Sequence, residues 1–396
     1  MPRLFRPLWP ALLGALALPG ACKRSGGSAP APSARASAPA PVASAPRAPK
    51  EAPLAGERVQ IPGGAFFAGS VPGDPGREPE LEPRRFRVEL GPFQIDRLPY
   101  PNDPAQPPLT GVPRDEARRL CAERSARLCT ELEWERACKG PNSDDYATGP
   151  SWDARCAKAP ASCASGFDVL ALGAALREWT ASEIRGGDAN AGRRAAVRGA
   201  AASAPDVEHR CAARQGLEFE AKHADLGFRC CTGAPNATIV PEPKATVTFT
   251  KTRVGADALA KLLAESDATR ELAKDVLFFK DPESAETVVH RGPGDRKGFE
   301  FTVAPLTWRP VPGAEFLLVS ARSGETTSFV VAFHVLGDGA YRLAASFVMK
   351  NEPGPIAFAY DESIKPRLHF SSCWGCLGET GKILFRKPER VAILQP

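Results

Sequence analysis

The sequence predicts an α+β protein made of two folded modules behind a long N-terminal leader. Strand-like runs are short and separated by turn-forming residues, while only three stretches read as helical. A Pro-rich polar stretch, Thr232 to Lys244, divides the folded part. The length, 396 residues, suits two or three domains and allows a full hydrophobic core. Hydrophobic residues at 43% and charged residues at 24% are ordinary for a soluble globular chain, but 40 prolines is roughly twice the usual share, so part of the chain is not packed core.

The N-terminal residues read first. Arg3 and Arg6 precede an apolar run, Leu8 to Leu18, of signal-peptide length and too short for a comfortable membrane span. Gly20 and Ala21 then lead to Cys22, so residues 1–22 are expected to be a bacterial lipoprotein signal peptide with Cys22 as the lipidated residue. The leucine usual three residues before the cysteine is displaced: Pro19 stands there and Leu18 precedes it. Lys23 after Cys22, rather than Asp, favours the outer membrane over the inner one. Residues 23–50 hold nine Ala, six Pro and five Ser among 28 and no aromatic residue. Such a composition cannot offset its ordering entropy, so residues 23–56 are expected to form a tether. Seven of the 51 basic residues lie in residues 1–50, where there is no acid, leaving 44 basic against 46 acidic residues in the body. The positive net charge therefore belongs to the leader, and nothing points to a nucleic-acid partner.

The first module is expected over residues 57–232. Val59 to Ser70 reads as a hairpin around Pro62-Gly63-Gly64, and Phe86 to Ile95 as one further strand. Asp115 to Ser125 has helical spacing through Ala117, Leu120 and Cys121. Thr130 reads as an N-cap with Glu133 three residues on, a capping box opening a helix through Ala137. Glu131 and Glu133 are most simply capping and solvated residues near that N-terminus, and Trp134 and Trp179 are expected in the core.

The segments Val59–Ser70 (VQIPGGAFFAGS), Pro92–Asp96 (PFQID), Leu109–Gly140, Leu176–Ser182 (LREWTAS), Val197–Ala200 (VRGA), Cys211–Gly216 (CAARQG) and Leu226–Cys231 (LGFRCC) occur in that order. Their set, above all Arg127-Leu128 with Thr130-Glu131 and Glu133-Trp134-Glu135, resembles the formylglycine-generating enzyme (sulfatase-modifying factor) domain family. The resemblance implies a C-type-lectin-like α+β fold over some 170 residues. It also implies disulfides Cys121–Cys230 and Cys138–Cys211. Cys129, in place of a common proline, needs a further partner, for which Cys231 is a candidate, and Cys156 and Cys163 could close a small loop. Ten body cysteines suggest an oxidising compartment.

The family's oxidases hold copper(I) with two thiolates, the soft ligands that this ion prefers. Their cysteine pair, four residues apart, falls in the interval here running from Arg198 to Arg210, which contains no cysteine and is about three residues shorter. Another branch holds iron with histidines, but His209, His223, His290, His334 and His369 form no His-x3-His-x-Glu pattern. The family's calcium-binding turn keeps Glu178 and Trp179 but has Ala175 and Arg177 at its Asn and first Trp places. The expectation is thus no cofactor and a non-catalytic binding or structural module; the alternative is a divergent metal-dependent oxidase acting on a protein.

Residues 233–244 are expected to be a linker, in which the Asn236-Ala237-Thr238 sequon is read as chance, and residues 245–396 a smaller α+β module of no recognised family. Strand runs are expected at Thr246–Lys251, Glu286–His290, Phe299–Ala304, Glu315–Ser320, Ser328–Leu336, Tyr341–Met349, Pro355–Tyr360, Arg367–Ser371 and Lys382–Leu394. A helical run spans Ala256 to Phe279, broken near Ser266 or Asp267, and Gly337-Asp338-Gly339 is a hairpin turn. One curved antiparallel sheet carrying one or two helices is expected. Cys373-Trp374-Gly375-Cys376 is followed by turn formers, not the helix that a redox dithiol needs. A structural Cys373–Cys376 disulfide is favoured, with a redox pair or shared metal site as alternatives. The whole reads as an envelope lipoprotein, held to a membrane by its lipid, with an envelope protein or glycan as its ligand.

Overall fold

Pro62 and Gly63 do not close a hairpin. In the computed structural model β1 (Arg58–Ile61) pairs antiparallel with β4 (Phe93–Asp96), whereas β2 (Gly64–Ala68) pairs with β3 (Phe86–Leu90) in a separate two-stranded sheet. The chain crosses between the sheets twice at one place, at Pro62-Gly63 and at Gly91-Pro92. Proline has no N–H for a ladder, so each crossing ends its strand. The two crossings touch, since a Cβ on Gly63 would lie 3.0 Å from Pro92 Cδ. The run Phe86 to Ile95 is accordingly two strands in different sheets.

The described residues are 47–185, 192–243, 248–280, 300–337, 339–351, 355–361, 367–371 and 381–395. Cys22, Cys373, Cys376 and the strand expected at Glu286–His290 lie outside them. Residues 47–56 are docked on the first module rather than free of it: Arg47 O accepts from Ala164 N (2.8 Å), and Arg97 donates to Glu51 O (2.8 Å).

In the first module α1 (Arg114–Ala122) leads through β5 (Arg127–Leu128) to α2 (Glu131–Lys139). The capping box forms: Thr130 Oγ1 accepts from Glu133 N, and Thr130 N donates to Glu133 Oε2 at 2.8 Å. After the short α3 (Arg155–Lys158) come β6 (Arg177–Arg185), β7 (Arg193–Gly199), β8 (Arg214–Leu217) and β9 (Leu226–Phe228), in the order β8-β7-β6-β9 with β9 parallel to β6. β10 (Cys230–Thr232) inserts between β4 and β5. Neighbouring residues of a strand face opposite sides, so Cys230 and Cys231 serve two cores. Cys230 bonds Cys121 of α1 among Trp179, Val197 and Phe228, and Cys231 bonds Cys129 among Phe66, Ile95 and Trp134. Cys138–Cys211 and Cys156–Cys163 complete the disulfides of the described residues. The first three close loops of 109, 102 and 73 residues, each of which chain-entropy estimates put at about 4–5 kcal/mol.

The second module is not one curved sheet but two. β11 (Thr248–Lys251), α4 (Ala256–Ala264), β12 (Val276–Leu277), β13 (Glu300–Thr302), β14 (Leu306–Arg309), β15 (Phe316–Ser323), β16 (Thr327–Gly337) and β17 (Ala340–Lys350) are followed by β18 (Ala357–Asp361), β19 (Arg367–Ser371), β20 (Gly381–Arg386) and β21 (Arg390–Leu394). One sheet runs β11-β14-β15-β16-β17 with β12 on β15, the other β13-β18-β19-β20-β21. The cause is apolar residues on both faces of β15 and β16, which demand cover on both sides. Phe316, Leu318, Val330 and Ala332 pack with Phe358, Phe370 and Ile383 of the second sheet. Leu317, Val319, Phe329 and Val331 pack with Leu259 and Leu263 of α4. The helical run breaks after Ala264, close to the expected Ser266 or Asp267, and beyond the break its apolar residues form a 3-10 turn, Arg270–Ala273, and then β12 rather than a second α-helix. The run Lys382–Leu394 is likewise two strands, turning at Lys387-Pro388.

Residues 45–396 form a single unit, and the loop between β2 and β3 joins its halves. Gly313 takes φ +77°, and a Cβ there would overlap the Pro79 carbonyl. Gly324, at φ +63°, faces open space. Gly324→Ala should therefore cost only its left-handed backbone term, about 1–2 kcal/mol. Gly313→Ala adds a backbone clash and should cost at least about 2 kcal/mol more. Urea unfolding of the two variants measures the difference, and equal effects would show that the junction yields freely.

Candidate functional site

Helix α2 carries three carboxylates, and all are buried: Glu131, Glu133 and Glu135 are 2%, 0% and 1% exposed. The expectation of solvated residues is corrected for Glu131 and Glu133, although Glu133 does cap the helix. Alternate positions diverge on a helix, and i,i+4 positions share a face. Glu133 turns back to Arg127, which donates two hydrogen bonds of 2.8 Å, and to Asn236. Glu131 and Glu135 turn together toward β7 and β8. Arg214 donates to both oxygens of Glu131 (2.7 and 2.9 Å), Arg198 bridges Glu131 and Glu135 (3.1 and 3.0 Å), and Lys139 lies 3.1 Å from Glu135. Burial alone would push the Glu135 carboxyl up, but Lys139 and Arg198 hold it below the usual carboxylate range.

The network continues to the surface of the module. Arg210 donates to both oxygens of Glu82 at 2.8 Å, and Arg77 donates to the Glu82 carbonyl. Arg77 also meets Glu389 at 2.6 Å, with both side chains almost wholly buried, and Glu389 accepts from Gly73 N at 2.9 Å. Above these pairs lies a cleft of about 910 Å³. Its walls come from the β2–β3 loop, residues 207–215, the β16–β17 hairpin and the start of β21. Asp74 is paired across it with Arg342 at 3.2 Å. His334, 6% exposed, packs against Gly73 and Phe316. None of this was read from the sequence; the one signal was the long charged loop GDPGREPELEPRR, residues 73–85, between two short strands.

Residues 99–234 match the sulfatase-modifying factor enzyme 1-like domain family. The chain carries a formylglycine-generating-enzyme-like domain. Its fold is the C-type-lectin-like α+β fold of that family. Solved structures similar to this one include PvdO from Pseudomonas aeruginosa (17% identity, TM-score 0.38), spanning 44% of this chain and 93% of PvdO. CarF (15% identity, TM-score 0.34) spans 44% of this chain and 97% of CarF, and Treponema denticola variable protein 1 (14%, 0.32) spans 43% and 94%. No curated protein matches the chain.

The metals of the family do not fit the residues of the formylglycine-generating-enzyme-like domain. The interval Arg198–Arg210 leaves β7, turns at Ala201–Ala204 and forms a 3-10 turn, Asp206–His209, with no thiol in it. All eight cysteines of the described residues, including Cys121, Cys138, Cys211 and Cys230, are in disulfides. His209 is buried against Trp152, its Nδ1 2.6 Å from Gly173 O and its Nε2 3.2 Å from Ala204 O, so neither nitrogen is offered to iron. His223 is exposed. Glu178, the last calcium candidate, accepts from Arg229 on both oxygens (2.7 and 2.8 Å) and from Trp134 Nε1 (2.9 Å), so its charge is already met by a guanidinium and it is not offered to a metal ion. The interval that holds copper in the family instead supplies Val207, Glu208 and Arg210 to the cleft.

Two outcomes follow for stability. Glu131→Gln leaves Arg214 and Arg198 short of charge in a buried site and should cost about 3 kcal/mol. Glu116→Gln, which breaks the exposed pair with Arg119 on α1, should change nothing measurable. Urea unfolding of both separates a buried network from a surface one. Burial pushes the His334 imidazole down to about 4, with Arg342 and Arg77 adding to the effect and Asp74 opposing it. The unfolded chain takes up this proton near pH 6.5 and the folded chain resists it, so stability falls between about pH 6.5 and 4, by up to about 3 kcal/mol. Burial raises the Glu389 and Glu78 carboxyls, which favours the fold as they protonate and offsets part of that loss. The contribution of His334 is therefore read as the difference between the parent and His334→Gln, whose stability should be flatter with pH across this window.

Proposed function

We propose that this chain is a lipid-anchored bacterial envelope protein whose formylglycine-generating-enzyme-like domain binds a ligand rather than oxidises one. One observation carries the reading: the interval that holds copper(I) in the family has no cysteine, and the cysteines around it are consumed in disulfides. Copper(I) requires soft thiolate ligands. Fold alone does not confer the activity. What remains is a disulfide-tied body in which that same interval forms a wall of a cleft against the second module. A ligand from the envelope, protein or glycan, suits such a body. The anchor reading rests on the basic, apolar and small-residue sequence of residues 1–22 ending at Cys22, since acyl chains contribute about 0.8 kcal/mol per buried CH₂.

The test uses the full chain purified from a bacterial envelope. Intact-mass analysis should show an acylated Cys22 as the first residue; an unmodified Cys22 would remove the anchor. Metal analysis should show no stoichiometric copper. A cysteine-containing peptide incubated with the chain, copper(I) and oxygen should keep its mass and give no aldehyde. Tightly bound copper together with aldehyde formation would establish the divergent oxidase instead.

A further inference from the structure

The cleft contains charges that the protein itself does not neutralise. Asp74, Glu82 and Glu389 are paired with Arg342, Arg210 and Arg77, and Arg214 is paired with Glu131. Glu78 and Glu208 also line the cleft, and neither has an ion-pair partner among the described residues. Arg390, also in the lining, is likewise without one. Two carboxylates against one guanidinium leave the cleft with an excess of negative charge. Glu78 is half-buried, and burial, together with Glu82 and Glu80, pushes its carboxyl up, although Lys387 and Arg210 pull the other way. A desolvated carboxylate of this kind is stabilised by a cation brought beside it.

The rest of the lining points to what carries the cation. Leu81, Val207, Ala213, Leu343 and Val391 are apolar and form much of the wall. An aliphatic stem can lie along such residues while its charged head reaches the carboxylates. His334 also lines the cleft, but its Nδ1, which has no hydrogen-bond partner, is sealed away from solvent and out of a ligand's reach. The ladder is also irregular here: Ala332 faces Ala345 and Phe333 faces Leu343, which leaves Ala344 in a bulge at the cleft wall. Bulges of this kind recur beside binding sites. The volume, about 910 Å³, is that of a pocket for a drug-sized molecule or a short stretch of peptide.

We propose that the cleft between the two modules binds a primary ammonium group on an aliphatic stem, held by Glu78 and Glu208. This rests on the reading of the chain as a binding protein. The ammonium could be a lysine side chain of a partner protein or a free polyamine, and the test separates these sources.

The full chain, in detergent, is titrated by calorimetry with spermidine and with a terminally blocked alanine pentapeptide bearing one central lysine. A peptide with norleucine at the centre keeps the stem and removes the charge. One ammonium probe should bind at one per chain, at least ten-fold more tightly than the norleucine peptide, and more weakly as ionic strength rises. Tighter binding of the peptide assigns a protein partner; tighter binding of spermidine assigns a free polyamine. Glu78→Gln should weaken binding about ten-fold, and Glu208→Gln, at an exposed position, about three-fold. Arg390→Gln should tighten it. Thermal melting of Glu78→Gln should match or exceed the parent, because no ion pair is broken and a desolvated charge is removed; if that variant fails to fold, Glu208→Gln and Arg390→Gln decide. Equal binding of the lysine and norleucine peptides, or binding indifferent to these substitutions, overturns the proposal. Copper binding with peptide oxidation, measured on the same preparation, would overturn the underlying reading, whereas a copper-free chain that ignores both amines overturns the cleft assignment alone.

Discussion

The three carboxylates of helix α2, sealed inside the first module, must each be met by a cation, and much of the fold is arranged around that requirement. Moving an ion from water into a protein interior costs several kcal/mol even after relaxation, and only close, hydrogen-bonded partners offset it. Helix α2 places Glu131 and Glu135 on one face and Glu133 beside its own N-terminus. Arg198 on β7, Arg214 on β8 and Arg127 on β5 must then lie where those faces point. The positions of three strands relative to one helix are thereby coupled to charge pairing. The disulfides hold the same elements covalently: Cys138 at the end of α2 is bonded to Cys211, three residues before Arg214.

The same logic extends across the junction of the modules. Arg210 and Glu82 are paired inside the first module, Arg77 reaches the Glu82 carbonyl, and Glu389 comes from the second module to neutralise Arg77. An Arg77 guanidinium with no counter-charge would be an uncompensated buried cation, so the second module is part of what makes the β2–β3 loop tolerable. Hydrophobic contacts hold each half together. The buried ions set how the halves meet, because an ion pair is directional where apolar contact is not.

Features with a local cause were legible in the sequence. The capping box at Thr130 and Glu133 is a four-residue pattern and formed as read. The strand runs Ser328–Leu336 and Tyr341–Met349, read around Gly337-Asp338-Gly339, correspond to β16 and β17. Misreadings arose where the cause was distant. Glu131 looks the same in sequence whether water or Arg214, 83 residues away, satisfies it. Pro62-Gly63-Gly64 carries the composition of a hairpin turn, but the partner of β1 is β4, chosen by the packing of Ile61 and Ile95 in the core. The two faces of β15 and β16 could not be told from a one-sided sheet, since a continuous apolar run suits either cover. The cleft was the least legible feature, because its walls come from four segments between Gly73 and Val391 that share no local pattern.

The fate of the interval Arg198–Arg210 follows from these constraints. Arg198 and Arg210, at its two ends, are both fixed in the ion network, one on Glu131 and Glu135, the other on Glu82. Between them His209 stacks on Trp152 with both ring nitrogens turned to carbonyl oxygens inside the chain, while Val207 packs against Gly76, where a Cβ would collide with it. A copper(I) site would need two thiolates free to converge on one ion in this stretch. Here its buried positions are already committed to holding the β2–β3 loop, and through Arg77 the second module, in place. The segment that serves chemistry in the family serves shape in this chain, and the side chain left facing the cleft without an ion-pair partner, Glu208, is suited to recognising charge rather than to holding a soft metal.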